Sequence, residues 1–201
     1  MSKNPRDDGT RSVRPTVDTL ASAAGKIARR GPAPVHLWNP PFCGQLDIRI
    51  ARDGTWYYLG TPIGRQRLVK LFSSIIRKDN DRYYLVTPVE KVGICVEDVP
   101  FIAIDFDIKG CGRGQSVTFL TNVDEQAIAS AMRPVRVERA AQTGEVSPYV
   151  TVRANLEARI DRKSFFRLVD ICCHEDRDGK SWFGLWSENT FFPFIPSAEI
   201  G

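Results

Sequence analysis

From Asp47 onward, apolar residues recur mainly with a period of two, in short runs closed by Gly, Pro, Asn and Asp. Successive side chains of an extended strand point to opposite faces, so this spacing predicts half-buried strands joined by tight turns. Ile48 and Ile50 alternate with Asp47 and Arg49, Asp53-Gly54 marks a turn, and Thr55–Leu59 is aromatic strand material. Tyr83–Thr87, Lys91–Glu97, Phe101–Lys109 and Ser116–Thr121 read the same way. Within Phe101–Lys109, the alternation puts Ile102, Ile104, Phe106 and Ile108 on one face. Gly110–Gly114 is expected to be a hairpin loop, Asp124–Met132 a short helix, Pro134–Glu138 a further strand and Ala140–Ser147 a linker.

Three segments follow a helical period instead. Val17, Leu20, Ala21, Ala24 and Ile27 form a small stripe that ends before Gly31-Pro32. Leu68, Leu71, Phe72, Ile75 and Ile76 form the second stripe, and Phe165, Leu168, Val169 and Cys172 the third. The last two are related by a shift of 97 positions. Ile160-Asp161-Arg162 then falls on Ile63-Gly64-Arg65, Asp176 and Asp178 fall on Asp79 and Asp81, and an aromatic strand follows in both. This predicts an α+β fold of two structurally related domains from an internal duplication. The expected division is a basic arm with a short helix over 1–34, an N-terminal α+β domain over 35–95 and a C-terminal domain over 96–201. Each copy is too small to bury much core alone, so the two should pack together and leave a cleft between them.

Composition narrows the function classes. The chain has 201 residues, 42% of them hydrophobic and 26% charged, which excludes a disordered chain or a fibre. No run approaches the roughly 18 apolar residues of a membrane-spanning helix, and no secretory leader pattern is visible. The five cysteines, odd in number and without a CxxC, read as reduced thiols, so the expected location is cytoplasmic. Residues 1–34 carry seven basic and three acidic side chains, which accounts for the whole net charge of +4. The remainder is neutral, so sequence-specific nucleic-acid binding is not expected. An Ala-rich stripe binds membranes weakly, so membrane contact is not expected either.

Several words of the sequence occur in a fixed order. They are Asp53-Gly54-x-Trp56, Gly60-Thr61-Pro62-Ile63-x-Arg65, Leu68-Val69-x-Leu71-Phe72, Leu85-Val86-Thr87-Pro88-x-Glu90-Lys91 and Val96-Glu97-Asp98-x-Pro100-Phe101. Thr121-Asn122, Leu156-x-Ala158-Arg159 and Ser187 follow. Together, over about residues 36–195, they resemble the bacterial domain-of-unknown-function family 1285. The resemblance implies an α+β duplication whose C-terminal half looks superficially like a pleckstrin-homology domain. It also implies a nucleotide-like ligand at the domain interface and a role in signal transduction, with oxidative stress as one context. It supplies no catalytic residues.

The candidate ligand groups follow from chemistry. Arg65 and Arg162 open the two repeated helices, where a guanidinium beside backbone N–H groups can hold a phosphate or carboxylate. Thr87, Glu90 and Lys91 gather around Pro88 at one strand end. Arg159 and Ser187 occupy related places in the second half. Trp56, Tyr58, Trp182 and Trp186 could stack a base, although aromatics on strands are more often core. Cys172-Cys173-His174-Glu175-Asp176 lacks a second ligand pair at zinc spacing, so neither metal nor cofactor is expected. Gly110-x-Gly112-x-Gly114 lacks the helix that a dinucleotide fingerprint needs.

The expectation is therefore a non-enzymatic protein that binds a small anionic or nucleotide-like ligand and signals to a protein partner. The site would comprise Arg65, Thr87, Glu90, Lys91, Arg159, Ser187, Trp56 and Trp186. The alternatives are a protein- or membrane-docking module, and an enzyme on a phosphorylated small molecule with Glu90 as base.

Overall fold

Alternating strands and β-turn residues dominate the computed structural model, which describes residues 16–28, 33–140, 142 and 144–200. Residues 1–15 of the expected basic arm, with Arg29 and Arg30, lie outside the described residues. The first helix, α1 (Val17–Ala28), buries Leu20 and Ala24 completely.

The first sheet is built from β1 (Phe42–Ile50), β2 (Trp56–Tyr58), β3 (Thr61–Pro62), β4 (Ile76–Asp79), β5 (Arg82–Val86) and β6 (Lys91–Val96). Its spatial order is β3-β2-β1-β6-β5-β4. All neighbours are antiparallel except the central pair, where β6 lies parallel to β1. Between β3 and β4 the chain forms α2 (Gln66–Ser73), which buries Val69 and Phe72 and packs on α1.

The second sheet contains β7 (Phe101–Lys109), β8 (Ser116–Thr121), β9 (Gln126–Ile128), β10 (Val135–Arg139), β11 (Val146–Arg153) and β12 (Leu156–Ile160). Its order is β10-β11-β12-β7-β8-β9, again with one parallel pair at the centre, β12 beside β7. A third helix, α3 (Arg162–Val169), follows. The antiparallel sheet of β13 (Cys173–Arg177), β14 (Lys180–Ser187) and β15 (Thr190–Pro196) comes last. The architecture is α+β and mostly sheet, with its buried apolar residues in one continuous cluster.

Three local expectations are corrected. Gln126–Ile128 is a strand rather than part of a helix: Asp124 takes the left-handed turn conformation (φ +64°), and Ala127 points into the core between exposed Gln126 and Ile128. Pairing with β8 and the burial of Ala127 outweigh the helical preference of Glu-Gln-Ala, all three of them good helix formers. Val146 and Ser147, expected at the end of a linker, are instead the first residues of β11, which pairs antiparallel with β10. In β7 the register shifts between Ala103 and Asp105, so Ile104 is 44% exposed while Ile102 and Phe106 are buried. A bulge of this kind exchanges the two faces of a strand.

The two sheets are fastened together. Asp53-Gly54, the β1–β2 turn, presses against the second sheet: a Cβ on Gly54 would stand 2.7 Å from Ile102 Cγ1 and 2.9 Å from Asn122 Nδ2. Gln66 Nε2 donates to Asn122 O at 2.9 Å, and Asn155 Nδ2 to Lys78 O at 3.1 Å. The Arg153 guanidinium donates to Ser73 O, at the end of α2, and to the Glu125 carboxylate.

Candidate functional site

Where β12 runs into α3, the chain opens a cleft of about 670 Å³ beside the β1–β2 turn, which contributes Asp53. The N-cap Asp161 starts the helix by accepting from Ser164 N at 2.7 Å. Ile102 and Ile160, both buried, form the cleft floor, with Phe165 and Pro148 beside them. The rim carries Arg159, Arg162, Phe166, Asp53 and Glu145.

The two arginines are held differently. Arg159 donates to Arg52 O at 2.8 Å, and its Nε lies 3.8 Å from the Asp98 carboxylate. Asp98 also accepts from Tyr149 Oη at 3.1 Å. Arg162 has no carboxylate partner among the described residues, and its guanidinium lies 5.5 Å from the centre of the Phe166 ring, itself 59% exposed. Two of the acids beside them, Asp53 and Asp161, are turned toward backbone. Asp161 caps α3, and Asp53 accepts from Thr55 N at 2.9 Å, a backbone hydrogen bond that holds its carboxyl below the usual range. The rim can therefore grip an anion from one side, over an apolar floor.

Two domain models match the sequence and meet in the segment between β6 and β7. The N-terminal domain of DUF1285, a domain of unknown function, matches residues 33–99, and the C-terminal domain of the same family matches residues 100–194. The chain belongs to the DUF1285 family. A crystal structure of a DUF1285 protein from Silicibacter pomeroyi DSS-3 is 56% identical, with a TM-score of 0.81, over 90% of this chain and 97% of that one. A second family member, from Shewanella baltica OS155, is 27% identical with a TM-score of 0.48, over 61% of this chain and 90% of that one. No curated protein matches the sequence.

Of the eight expected site residues of this DUF1285 chain, the cleft gathers Arg159 alone. Arg65 stands at the start of α2, in a shallow recess of about 370 Å³ with Tyr58, Asp18 and Leu68. Trp56 is buried and stacks on Phe72, 6.4 Å between ring centres. Thr87 is fully buried, and its hydroxyl oxygen accepts from Glu90 N at 3.2 Å across the β5–β6 turn. Glu90 sits in that turn, where burial raises its carboxyl. Lys91 Nζ reaches Asp79 at 3.5 Å and lies over the Tyr84 ring. Ser187 is fully buried, donating to Ala129 O at 2.7 Å and accepting from Val117 N at 3.0 Å. Trp186, buried, lies under the Arg113 guanidinium at 4.9 Å. The hydroxyls of Thr87 and Ser187 are thus committed to backbone groups.

Phe166, Glu145 and Pro148 enter the cleft from segments that no motif singles out. Phe166 carries the one available signal, since it falls off the Phe165–Leu168–Val169 stripe and so had to be exposed. Burial pushes the Cys172 thiol up to about 12, which makes it a poor nucleophile. No group of three or more His, Cys, Asp or Glu among the described residues is placed to hold a metal. No helix among them is long and apolar enough to cross a membrane.

Proposed function

We propose that this protein binds a small anionic ligand in the cleft beneath α3 and works as a sensor or regulatory component rather than through turnover. The carrying observation is Arg162, which keeps its guanidinium at the cleft rim near Phe166 with no ion pair among the described residues, beside Arg159. Arg159 and Arg162 would supply charge, and Phe166 a flat surface for stacking. Asp53, Asp161 and Glu145 share the same lining, so the cleft favours a ligand with one or two negative charges over a polyphosphate. Among nucleotide-like ligands this points to a monophosphate.

The reading includes a duplicated origin for the halves. α2–β4–β5–β6 and α3–β13–β14–β15 share the order helix, then three antiparallel strands, which supports it. The likeness of the C-terminal half to a pleckstrin-homology domain stays with the docking alternative. The many ties across the seam favour a readout through α3 and the β10–β11 turn over a swing of one half against the other. A protein partner would read that surface.

Thermal-shift measurements with nucleoside monophosphates, inorganic phosphate and monocarboxylates test the proposal. A ligand at one hundred times its Kd adds about 2.7 kcal/mol to the native form. For a chain of this size that is a rise of roughly 5–10 °C. The rise should disappear in Arg162→Gln. A panel without any shift, or a shift unchanged in that variant, refutes the proposal.

A further inference from the structure

Phe165 is a wall of the cleft, and its ring packs on Phe194 at 6.1 Å between centres. On the other side of that ring lies a second recess of about 250 Å³, enclosed by β10, α3, β14 and β15 and lined by Val137, Val169, Phe183 and Phe194. Val146 and Phe165 line both spaces, so the two abut. The inner recess is apolar except for Arg139, whose guanidinium is engaged by Glu199 at 2.9 Å. Ile200 closes its outer side, behind a short 3-10 helix over Ser197–Glu199. That helix is held by Arg139 and by the 2.8 Å contact between Ser197 Oγ and His174 Nδ1.

A charged rim abutting an apolar pocket, with the Phe165 ring between them, has a chemical complement. Water gains little in a space without polar partners, whereas a hydrocarbon chain gains its transfer free energy there. Nucleotide monophosphates would fill the outer cleft only. A methylene group occupies close to a water's share of liquid volume, roughly 30 Å³, so the inner recess holds on the order of eight. The mixed charge of the rim suits a head group with a single negative charge.

We infer that the ligand is a medium-chain fatty carboxylate, its head at Arg159 and Arg162 and its chain passing Phe165 into the recess between α3 and the last sheet. This rests on the anion-binding reading above and narrows it to one class. Binding would wedge α3 apart from β15 and Ile200, which wall the recess, and so present the ligand to a partner as a change in the C-terminal face.

Calorimetric titration of the full chain with butyrate, hexanoate, octanoate and decanoate, each below its micelle concentration, tests this. Affinity should rise about fourfold per methylene and keep rising through decanoate, because the outer cleft takes the first few carbons and the inner recess about eight more. Val169→Trp should remove the dependence on length while keeping butyrate binding, and Val137→Phe provides the same block if the first variant does not fold. Arg159→Gln/Arg162→Gln should weaken every length by a common factor of at least ten. Equal affinity for butyrate and decanoate overturns the fatty-chain inference and leaves the anion reading standing. Length-dependent affinity that is indifferent to the double arginine variant overturns the anion reading and, with it, the assignment of the head group. Absence of binding at every length overturns the inference.

Discussion

The two six-stranded sheets are built to one plan and finished differently. Numbered within each sheet, both run third-second-first-sixth-fifth-fourth, with the first and sixth strands parallel at the centre. In the first sheet, α2 fills the connection between third and fourth strands and covers the sheet with Val69 and Phe72. In the second, that connection is a tight turn closed by paired backbone hydrogen bonds between Ser130 and Arg133. Its helix comes after the sixth strand, as α3. The same strand order thus accommodates two different helix placements, and helix placement decides where a recess opens. After β6 the chain is pinned, since Glu97 pairs with Arg49 and accepts from Arg52 N at 2.9 Å. After β12 it leaves the sheet at Asp161, and the cleft lies under that departure.

If the sheets are stable partners whose junction is tightly fitted, Gly54→Ala should be the most damaging single change. It places a Cβ against Ile102 and Asn122 at a φ of +84°, and should lower stability by about 3 kcal/mol in a urea titration. A loss under 1 kcal/mol would mean that the junction yields easily. Arg153→Met comes next. Burial pulls that guanidinium down to about 10, so at neutral pH it is charged and bound to Glu125 and Ser73 O. Its removal strands a half-buried carboxylate and should cost about 2 kcal/mol. The same variant should unfold with separate transitions when followed by probes in each half; a single coincident transition would assign the coupling to the apolar contacts alone.

The helix starts contrast on a smaller scale. Asp161 caps α3, whereas Arg65, in the extended conformation at the start of α2, makes no side-chain capping bond. Asp161→Ala should cost about 1 kcal/mol, and Arg65→Ser should gain a few tenths, up to about 1. Equal effects of either sign would erase the difference between the two starts. The smallest effect is chemical. Cys172 is half-buried, and the other four thiols, Cys43, Cys95, Cys111 and Cys173, are exposed. With a native thiol raised to about 12, Cys172 should resist alkylation at pH 8 while the four react. Because the unfolded thiol ionises first, the native state loses this contribution as pH rises from about 9 to about 12. Rapid modification of all five at pH 8 would contradict the burial.

Alternation made β8 legible from sequence, because its residues are buried and half-buried in turn, and β5 and β6 were legible despite Val86 and Gly93 being buried on their outer faces. The Asp53-Gly54 turn was legible as well, for it needs a residue free to take positive φ. The β7 bulge was not, since a register shift depends on the partner strand. At the cleft, Arg159 and Arg162 could be read because they flank the helix start, whereas Glu145 and Pro148 arrive from the β10–β11 hairpin, a long-range contact that periodicity does not encode. Thr87 and Ser187 show the opposite case: two residues of the family words whose polar atoms serve backbone groups, in the adjoining turn for Thr87 and at Val117 and Ala129 for Ser187.

The parallel pairing of first and sixth strands has a consequence for synthesis. β1 waits with one long edge bare until the chain through Val96 has left the ribosome, and β7 waits likewise for residues up to Ile160. Each wait leaves unpaired backbone amides and carbonyls, which can join another nascent copy instead. Polypeptides stopped just short of either closing strand should therefore be the forms that clump in a cell, and a chaperone that covers β1 during translation would raise the yield of finished protein.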